Sequence, residues 1–272
     1  MKTSLPIVLL TDFGTEDAFV GILKGVILSI HPKARILDLS HGVRPQDIVH
    51  GSFLLWSSFR FFPKGSIFCV VVDPGVGTGR RPILVTTRDY GFIGPDNGVM
   101  FAAARENHIR SVIHLTRTEY FLPRVSSTFH GRDLFAPVAA HVSLGIPAEQ
   151  FGASLETMVS LEIPSPEKQG DGLILSVIHV DTFGNLTLNL SAEQFKGFSS
   201  KGFVLEPSAA RSSRLSIQTL CAAYAQGQEG RPFVLESSSG FMEIAIKNGN
   251  AAQTLGLNRM DTLILKKAGS GK

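Results

Sequence analysis

The sequence predicts a two-domain α/β protein. It comprises an N-terminal, mostly parallel α/β sandwich domain over residues 1–160, a linker at 161–171 and a smaller C-terminal all-β, barrel-like domain over 172–272. Three observations carry this reading. Through the first 150 residues, short β-rich runs alternate with segments of helical period, which is how parallel α/β architecture appears in sequence. One run, "GSIFCVVVD" at 65–73, is so apolar that helices are expected over both its faces. After residue 172 the texture changes to short alternating strands separated by turns.

Taken in order, "PIVLLTD" is the first strand, followed by a helix in "EDAFVGILKGVILSIHP". In that helix Phe19, Ile22, Leu23, Val26 and Ile30 recur at helical spacing, Glu16 and Asp17 suit the N-terminal end, and Pro32 stops it. "ARILDLS" is a second strand, "QDIVHGSFLLWSSFRFF" a second helix and "GSIFCVVVD" the third strand. "PILVTTRDYGFIGPDNG" reads as a hairpin or strand pair with a turn at Asp89 to Gly91, and "VMFAAARENH" and "RDLFAPVAAHVSLG" read as helices. Between 154 and 172 periodicity is lost and Pro, Ser and Gly accumulate, as in a linker. The strands of the second domain lie in "LILSVIHVDTFGNLTLNLS", "GFVLEP", "RPFVLESSSGFMEIAIKNG" and "DTLILKK", and the tail beyond them reads as solvated.

Composition narrows the function. With 43% hydrophobic and 18% charged residues and a formal charge of +3, the 272-residue chain has neither the polarity of a disordered protein nor the basicity of a nucleic-acid binder. Cys69 and Cys221 sit inside apolar runs and read as buried hydrophobes rather than a disulfide, which fits a cytoplasmic setting. The N-terminal apolar run stops at Asp12, too early for a secretory leader, and no stretch approaches the roughly 18 apolar residues of a membrane span.

The chemistry gathers at strand ends. "LLTD" ends at Asp12, "VVVD" at Asp73 and "FIGPDNG" carries Asp96. Ligands of open α/β sheets bind beyond the carboxyl ends of strands, so such residues are expected to converge on one crevice. One strand-end Asp alone suits a turn or a helix cap; three, joined by "FHGRD", point to a site. Carboxylates with a nearby His also suit a divalent metal and phosphoester hydrolysis. Against that, no H-x-D or D-x-H cluster is present, and "GVGTGRRP" lacks the Lys-Ser/Thr ending of a P-loop.

Six motifs, in order, carry a resemblance over nearly the whole chain: "TDFGTEDAFVGILKG", "VVDPGVGTGRRPI", "GPDNG", "TFHGRDLFAP", "DTFGNLTLN" and "SSSGFMEIAIKNGNAA". Together they resemble the S-adenosyl-L-methionine hydroxide adenosyltransferases, relatives of the fluorinating and chlorinating adenosyl halogenases. The resemblance implies an N-terminal α/β domain and a C-terminal β-barrel. It also implies a homotrimer with sites between subunits, no cofactor and no metal, and hydrolysis of S-adenosylmethionine to adenosine and methionine by attack of water at ribose C5′.

Carried over motif by motif, Asp73, Arg80 and His130 match the family's catalytic Asp, Arg and His. Arg81 adjoins Arg80, and the seven-residue spacing from Asp73 favours Arg80. Asp12 matches the carboxylate that receives the ribose hydroxyls, an acceptor facing two donors. Asp17 falls at an acidic contact to the methionine ammonium or, equally, is a helix-dipole charge. Phe183 and Asn185 match the adenine-side "FGN"; Asp181 stands near a family ligand position; and Ser237, Ser239 and Asn248 fall in the late adenine-binding segment, where the halogenases carry Arg at the position of Ser239. The halogenases have tyrosine at the position of Asp73, and an anionic Asp there repels halide and retains water. Non-catalytic S-adenosylmethionine or nucleoside binding is the remaining reading, because it uses nearly the same residues.

Overall fold

The computed structural model describes residues 5–199, 202–208 and 216–268, and the chain separates into two units, Met1–Glu162 and Ile163–Lys272. The last four residues of the solvated tail lie outside the described residues.

The first unit is built on one seven-stranded sheet of β1 (Ile7–Thr11), β2 (Ile36–Ser40), β3 (Ile67–Val71), β4 (Pro82–Thr87), β5 (Gly91–Pro95), β6 (Ile109–His114) and β7 (Ser154–Leu155), in the order β2-β1-β3-β5-β4-β6-β7. Its helices are α1 (Phe19–Ile30), α2 (Ile48–Ser58), α3 (Phe101–Glu106) and α4 (Ala136–Ser143). Strand side chains alternate faces, so each strand feeds two cores. Ile7, Leu9, Cys69 and Val71 pack with Leu23 and Ile27 of α1 and Val138 and Ala139 of α4. Val8, Leu10, Phe68 and Val70 pack with Leu55 of α2 and Ala103 of α3. Every residue of β3 is buried, as its composition requires. Burial pushes the Cys69 thiol up to about 12, so this cysteine is inert packing.

The sheet is mixed, parallel in one half and antiparallel in the other. β2, β1, β3 and β5 run parallel, whereas β4 is antiparallel to β5 and β6, and β6 is antiparallel to β7. Alternation reveals which face a side chain takes and carries no strand direction. The stretch expected to be a linker also contributes structure: β7 extends the sheet, the Val159 N–H bonds to Asp96, and Leu161 packs against Gly98.

The second unit is antiparallel. It contains β8 (Glu167–Gln169), β9 (Gly172–Val180), β10 (Leu186–Ser191), β11 (Phe203–Pro207), β12 (Pro232–Glu236), β13 (Phe241–Ile246) and β14 (Thr262–Lys267), with the main path β11-β14-β9-β10-β13-β12 and β8 beside β9. α5 (Ala192–Phe198) opens on a capping box between Ser191 and Gln194, and α6 (Ala251–Leu255) is capped by Asn250. The sheet curls around a core of Leu175, Val177, Leu188, Ile244 and Leu263. Its two edge strands are each bridged by one segment, at Leu205–Ile217 and Leu220–Val234. Among the described residues no helix is long and apolar enough to cross a membrane.

Candidate active site

Three local features bring the N-terminal polar residues together. The apolar run of β3 continues through buried Val72 and ends at Asp73, which delivers a carboxylate to the strand's carboxyl end. The loop that follows folds on itself, with the Thr78 hydroxyl donating to the Gly75 carbonyl at 2.6 Å. At its apex Gly77 takes φ +76°, and a Cβ there would stand 2.3 Å from the Ser127 carbonyl oxygen. Glycine is therefore what lets this loop lie against the segment leading to His130.

Arg80 returns from the loop to Asp73. Its Nε donates to both carboxylate oxygens at 2.9 and 3.0 Å, and its Nη2 donates to Oδ2. The same Nη2 lies 2.7 Å from His130 Nδ1. The Arg80 and Asp73 side chains are only 9% and 6% exposed, so the pair is desolvated and strongly coupled. A guanidinium has no acceptor, so His130 Nδ1 must accept. The imidazole is thereby neutral and carries its proton on Nε2. Burial, and then the Arg80 charge, hold His130 below the usual imidazole value, in keeping with that state.

Asp12 follows β1 and accepts the Gln46 backbone N–H at 2.7 Å. Gln46 adopts φ +65°, an uncommon conformation for a side-chain-bearing residue, and this turns its N–H to the carboxylate. Burial raises the Asp12 carboxyl above the ordinary range despite that bond. Asp12, Asp73 and His130 line one cavity of about 350 Å³, together with Phe13, Phe19 and Phe129.

Two residues expected near this crevice go elsewhere. Asp96 is buried against Arg81, and its other oxygen accepts the Val159 N–H at 2.7 Å, so it fastens the chain after β7 and is absent from the cavity lining. Asp17 is exposed before α1 and also stands outside that lining.

The second unit carries its own cavity of about 780 Å³, lined by Asp181, Phe183, Asn185, Tyr224, Lys247 and Asn248 among others. Asp181 organises the turn after β9. Its Oδ1 accepts the N–H groups of Phe183 and Asn185 at 2.9 and 2.8 Å, and its Oδ2 accepts Asn185 Nδ2 at 2.9 Å. Gly184, at φ +85°, permits the close approach of Asn250, whose atoms would lie 2.2 Å from a Cβ. The Phe183 ring is left 75% exposed over the cavity. Asn248 adopts φ +55° and donates to Glu229 at 2.9 Å. Ser237 and Ser239 bond to each other in the turn between β12 and β13 and do not line this cavity.

Sequence reasoning missed Tyr224 and Lys247. Tyr224 donates its hydroxyl to buried Glu243 at 2.7 Å, and burial raises both groups above their ordinary values. It opens a one-turn 3-10 helix, Tyr224–Gln226, too short to show a period, so only its being one of three tyrosines in the chain marked it.

Polar groups at the carboxyl ends of β1 and β3, open to one cavity, are the arrangement of an α/β enzyme. Residues 7–152 match the family model described as the SAM hydroxide adenosyltransferase N-terminal domain, and residues 175–264 match that of its C-terminal domain. The chain belongs to the SAM hydroxide adenosyltransferase family. It is 37% identical to the (R)-S-adenosyl-L-methionine hydrolase of Salinispora tropica, over 93% of this chain and 94% of that one. It is 25% identical to a fluorinase of an Actinoplanes species over 96% and 97% of the two chains. A solved structure of a conserved protein of Thermotoga maritima superposes with a TM-score of 0.87 at 34% identity, covering 96% of this chain and 99% of that one.

Proposed function

We propose that the protein hydrolyses S-adenosyl-L-methionine to adenosine and L-methionine. The sulfonium configuration is the (R) form for which its relatives are named. The observation that carries the site assignment is the desolvated Asp73–Arg80–His130 cluster, two members of which face a cavity shared with Asp12.

Water attacks the ribose C5′, the C5′–S bond breaks, and its electron pair goes to sulfur, which leaves as the neutral thioether of methionine. One proton must leave the attacking water. His130 is not the group that takes it, because Arg80 holds its Nδ1 and Nε2 already carries hydrogen. The imidazole instead donates Nε2–H to a lone pair of the water and fixes its direction. Asp73 takes the proton on a lone pair that Arg80 leaves free, and the guanidinium stabilises the hydroxide-like charge on the way. Arg80 thus supplies the positive charge that a metal would supply in a metal-dependent hydrolase. Asp12 receives the ribose hydroxyls. Phe183, Asn185 and Tyr224 receive the adenine, with Asp181 holding Asn185 so that its amide oxygen accepts the exocyclic amino group.

We take the curled sheet of the second unit as a barrel, supported by the segment that bridges both its edges. We take the working form as a cytoplasmic trimer in which each site draws on two subunits. Co-expressed Asp73→Ala and Asn185→Ala subunits then recover part of the activity in mixed oligomers; no recovery in verified mixed oligomers makes the site self-contained.

Turnover in water labelled with heavy oxygen tests the reaction. Label is expected in the adenosine 5′-hydroxyl and none in methionine, undiminished in excess EDTA. Unlabelled adenosine overturns the mechanism, and binding without turnover makes the protein a non-catalytic binder. Loss of activity in EDTA with recovery on adding a stoichiometric metal overturns the role given to Arg80.

A further inference from the structure

Three phenylalanines in the N-terminal cavity have no part in the proton chemistry. Phe13 follows Asp12, Phe129 precedes His130, and Phe19 opens α1. Their ring centroids lie 5.3 to 5.8 Å apart with interplanar angles of 52° to 83°, so none of the three pairs stacks face to face. All three line the cavity that holds Asp12, Asp73 and His130, and all three also line an adjoining hollow of about 340 Å³ with Arg132.

Core packing accounts for one side of Phe13 and Phe129, which lie against the N-terminal core, and does not account for Phe19. Phe19 is 43% exposed, and α1 is anchored by Leu23 and Ile27 farther along. Large aromatic rings held at the mouth of a polar cavity have a cost in exposed apolar surface, and a ligand that covers them relieves it. One of the rings already holds a cation: the Arg132 guanidinium carbon lies 5.1 Å from the centroid of Phe129.

The reaction dictates what stands beside this wall. Displacement at C5′ is in line, so sulfur lies on the side of C5′ away from the attacking water. The water is held by Asp73 and His130, and Phe13, Phe19 and Phe129 are the aromatic part of the remaining lining, beside Pro45, Gln46, Pro74, Val76 and Thr128. The sulfonium there is a trialkyl cation with no hydrogen-bond donor, a group that the negative face of an aromatic ring attracts and a hydrogen-bonding side chain does not hold. We propose that Phe13, Phe19 and Phe129 form an aromatic wall that recognises the charge of the sulfonium and thereby distinguishes substrate from neutral thioethers. Phenyl rings attract without being nucleophilic. When the C5′–S bond breaks the charge disappears, the attraction ends, and methionine is released.

This inference rests on the hydrolase reading, and its test separates the two. Dissociation constants are measured for S-adenosyl-L-methionine, in an inactive His130→Ala background, and for the neutral thioether S-adenosyl-L-homocysteine. Phe19→Leu is expected to weaken the sulfonium by about tenfold, the scale of one cation–π contact, and the thioether by less than about twofold. Phe19→Tyr, which keeps the π face, restores sulfonium binding. In otherwise wild-type enzyme Phe19→Leu raises KM more than it lowers kcat. Exposure of Phe19 makes a folded variant expected, and an unchanged melting temperature checks it. Equal weakening of both ligands overturns the proposal and leaves a merely apolar wall. No weakening of either removes the rings from the site. A parent protein that neither binds nor turns over S-adenosylmethionine breaks the hydrolase reading itself, before any phenylalanine is changed.

Discussion

Arg80 and Arg81 are consecutive, and each ends on a buried aspartate, yet the two ion pairs do different things. Arg81 and Asp96 use what they have on the protein: the carboxylate takes the guanidinium on one oxygen and the Val159 N–H on the other, and Arg81 reaches the Thr157 carbonyl at 3.4 Å. Arg80 and Asp73 add a third titratable partner, His130, and leave carboxylate and imidazole facing a cavity. The chemistry of the pair is the same; what differs is whether its remaining hydrogen-bonding capacity is spent on backbone or kept for a ligand. A buried ion pair by itself therefore does not mark a catalytic site, and the proposed mechanism rests on the hydrogen-bonding capacity that Asp73 and His130 keep toward the cavity.

The strongest way to break this comparison is to delete each side in turn. Arg80→Ala and Asp73→Ala are expected to lower turnover roughly 100-fold or more, the scale of losing an electrostatic or acid–base contributor. Arg81→Ala is expected to leave kcat within about threefold of wild type and instead to cost stability of about 2 kcal/mol, read by urea unfolding. That figure lies below the usual cost of orphaning a buried charge because Arg81 is 36% exposed and water can reach what it leaves. If Arg81→Ala abolishes turnover in a stably folded protein, the division of labour between the two arginines is wrong.

A substitution at His130 sharpens the comparison further. If the imidazole were the base, His130→Gln and His130→Ala would be equally inactive, because an amide takes no proton. If its part is to accept from Arg80 and donate to water, glutamine offers both functions. His130→Gln is then expected to exceed His130→Ala in kcat by about tenfold, the scale of one retained hydrogen bond to a charged group. Parity of the two variants would return the role of base to the imidazole.

How far such a site can be read without coordinates follows from what each signal contains. Asp12 and Asp73 were legible because an apolar run that stops at a carboxylate fixes both the strand and the end where the carboxylate emerges, and the two share a cavity. Asp96 carried the same signal and serves another purpose, since its partners Arg81 and Val159 lie 15 and 63 residues away. Local pattern cannot distinguish a strand-end ligand from a strand-end clamp. The direction of β4 was legible from its turn, since a hairpin at Asp89 to Gly91 makes β4 antiparallel to β5 as observed, whereas its antiparallel pairing with β6 was not, because alternation is identical in either direction. The half-exposed strand β6 has no continuous apolar run to announce it, and β7, two residues long, lies in a Pro- and Ser-bearing stretch that reads as linker. Tyr224 was missed for a like reason: a single 3-10 turn is too short to show a period.

The smallest expected effect lies in pH dependence, and it bears on the state of His130. Burial, then the Arg80 charge, lower its pKa from the ordinary 6.5. Between that depressed value and 6.5 the unfolded chain binds more protons than the native one, so stability rises with pH across this window. The contribution is fully present above 6.5 and is lost as pH falls through the native value. Asp12 acts in the opposite sense. Its raised pKa contributes stability that is fully present below 3.8 and is lost as pH rises through the native value. Activity follows the native state: a proton arriving at Nδ1 displaces the Arg80 donor and dismantles the cluster, so kcat/KM is expected to hold level through 6.5 and fall only below it. Nitrogen NMR of the imidazole checks the cause directly, with the neutral Nε2–H tautomer expected at pH 7. Arg80→Gln removes the guanidinium and should move the titration upward, whereas Arg81→Ala, whose charge is engaged by Asp96, should leave it in place. A wild-type midpoint at or above 6.5, or a proton found on Nδ1, would mean that Arg80 does not set the state of His130, and the distinction between the two arginines would lose its electrostatic basis.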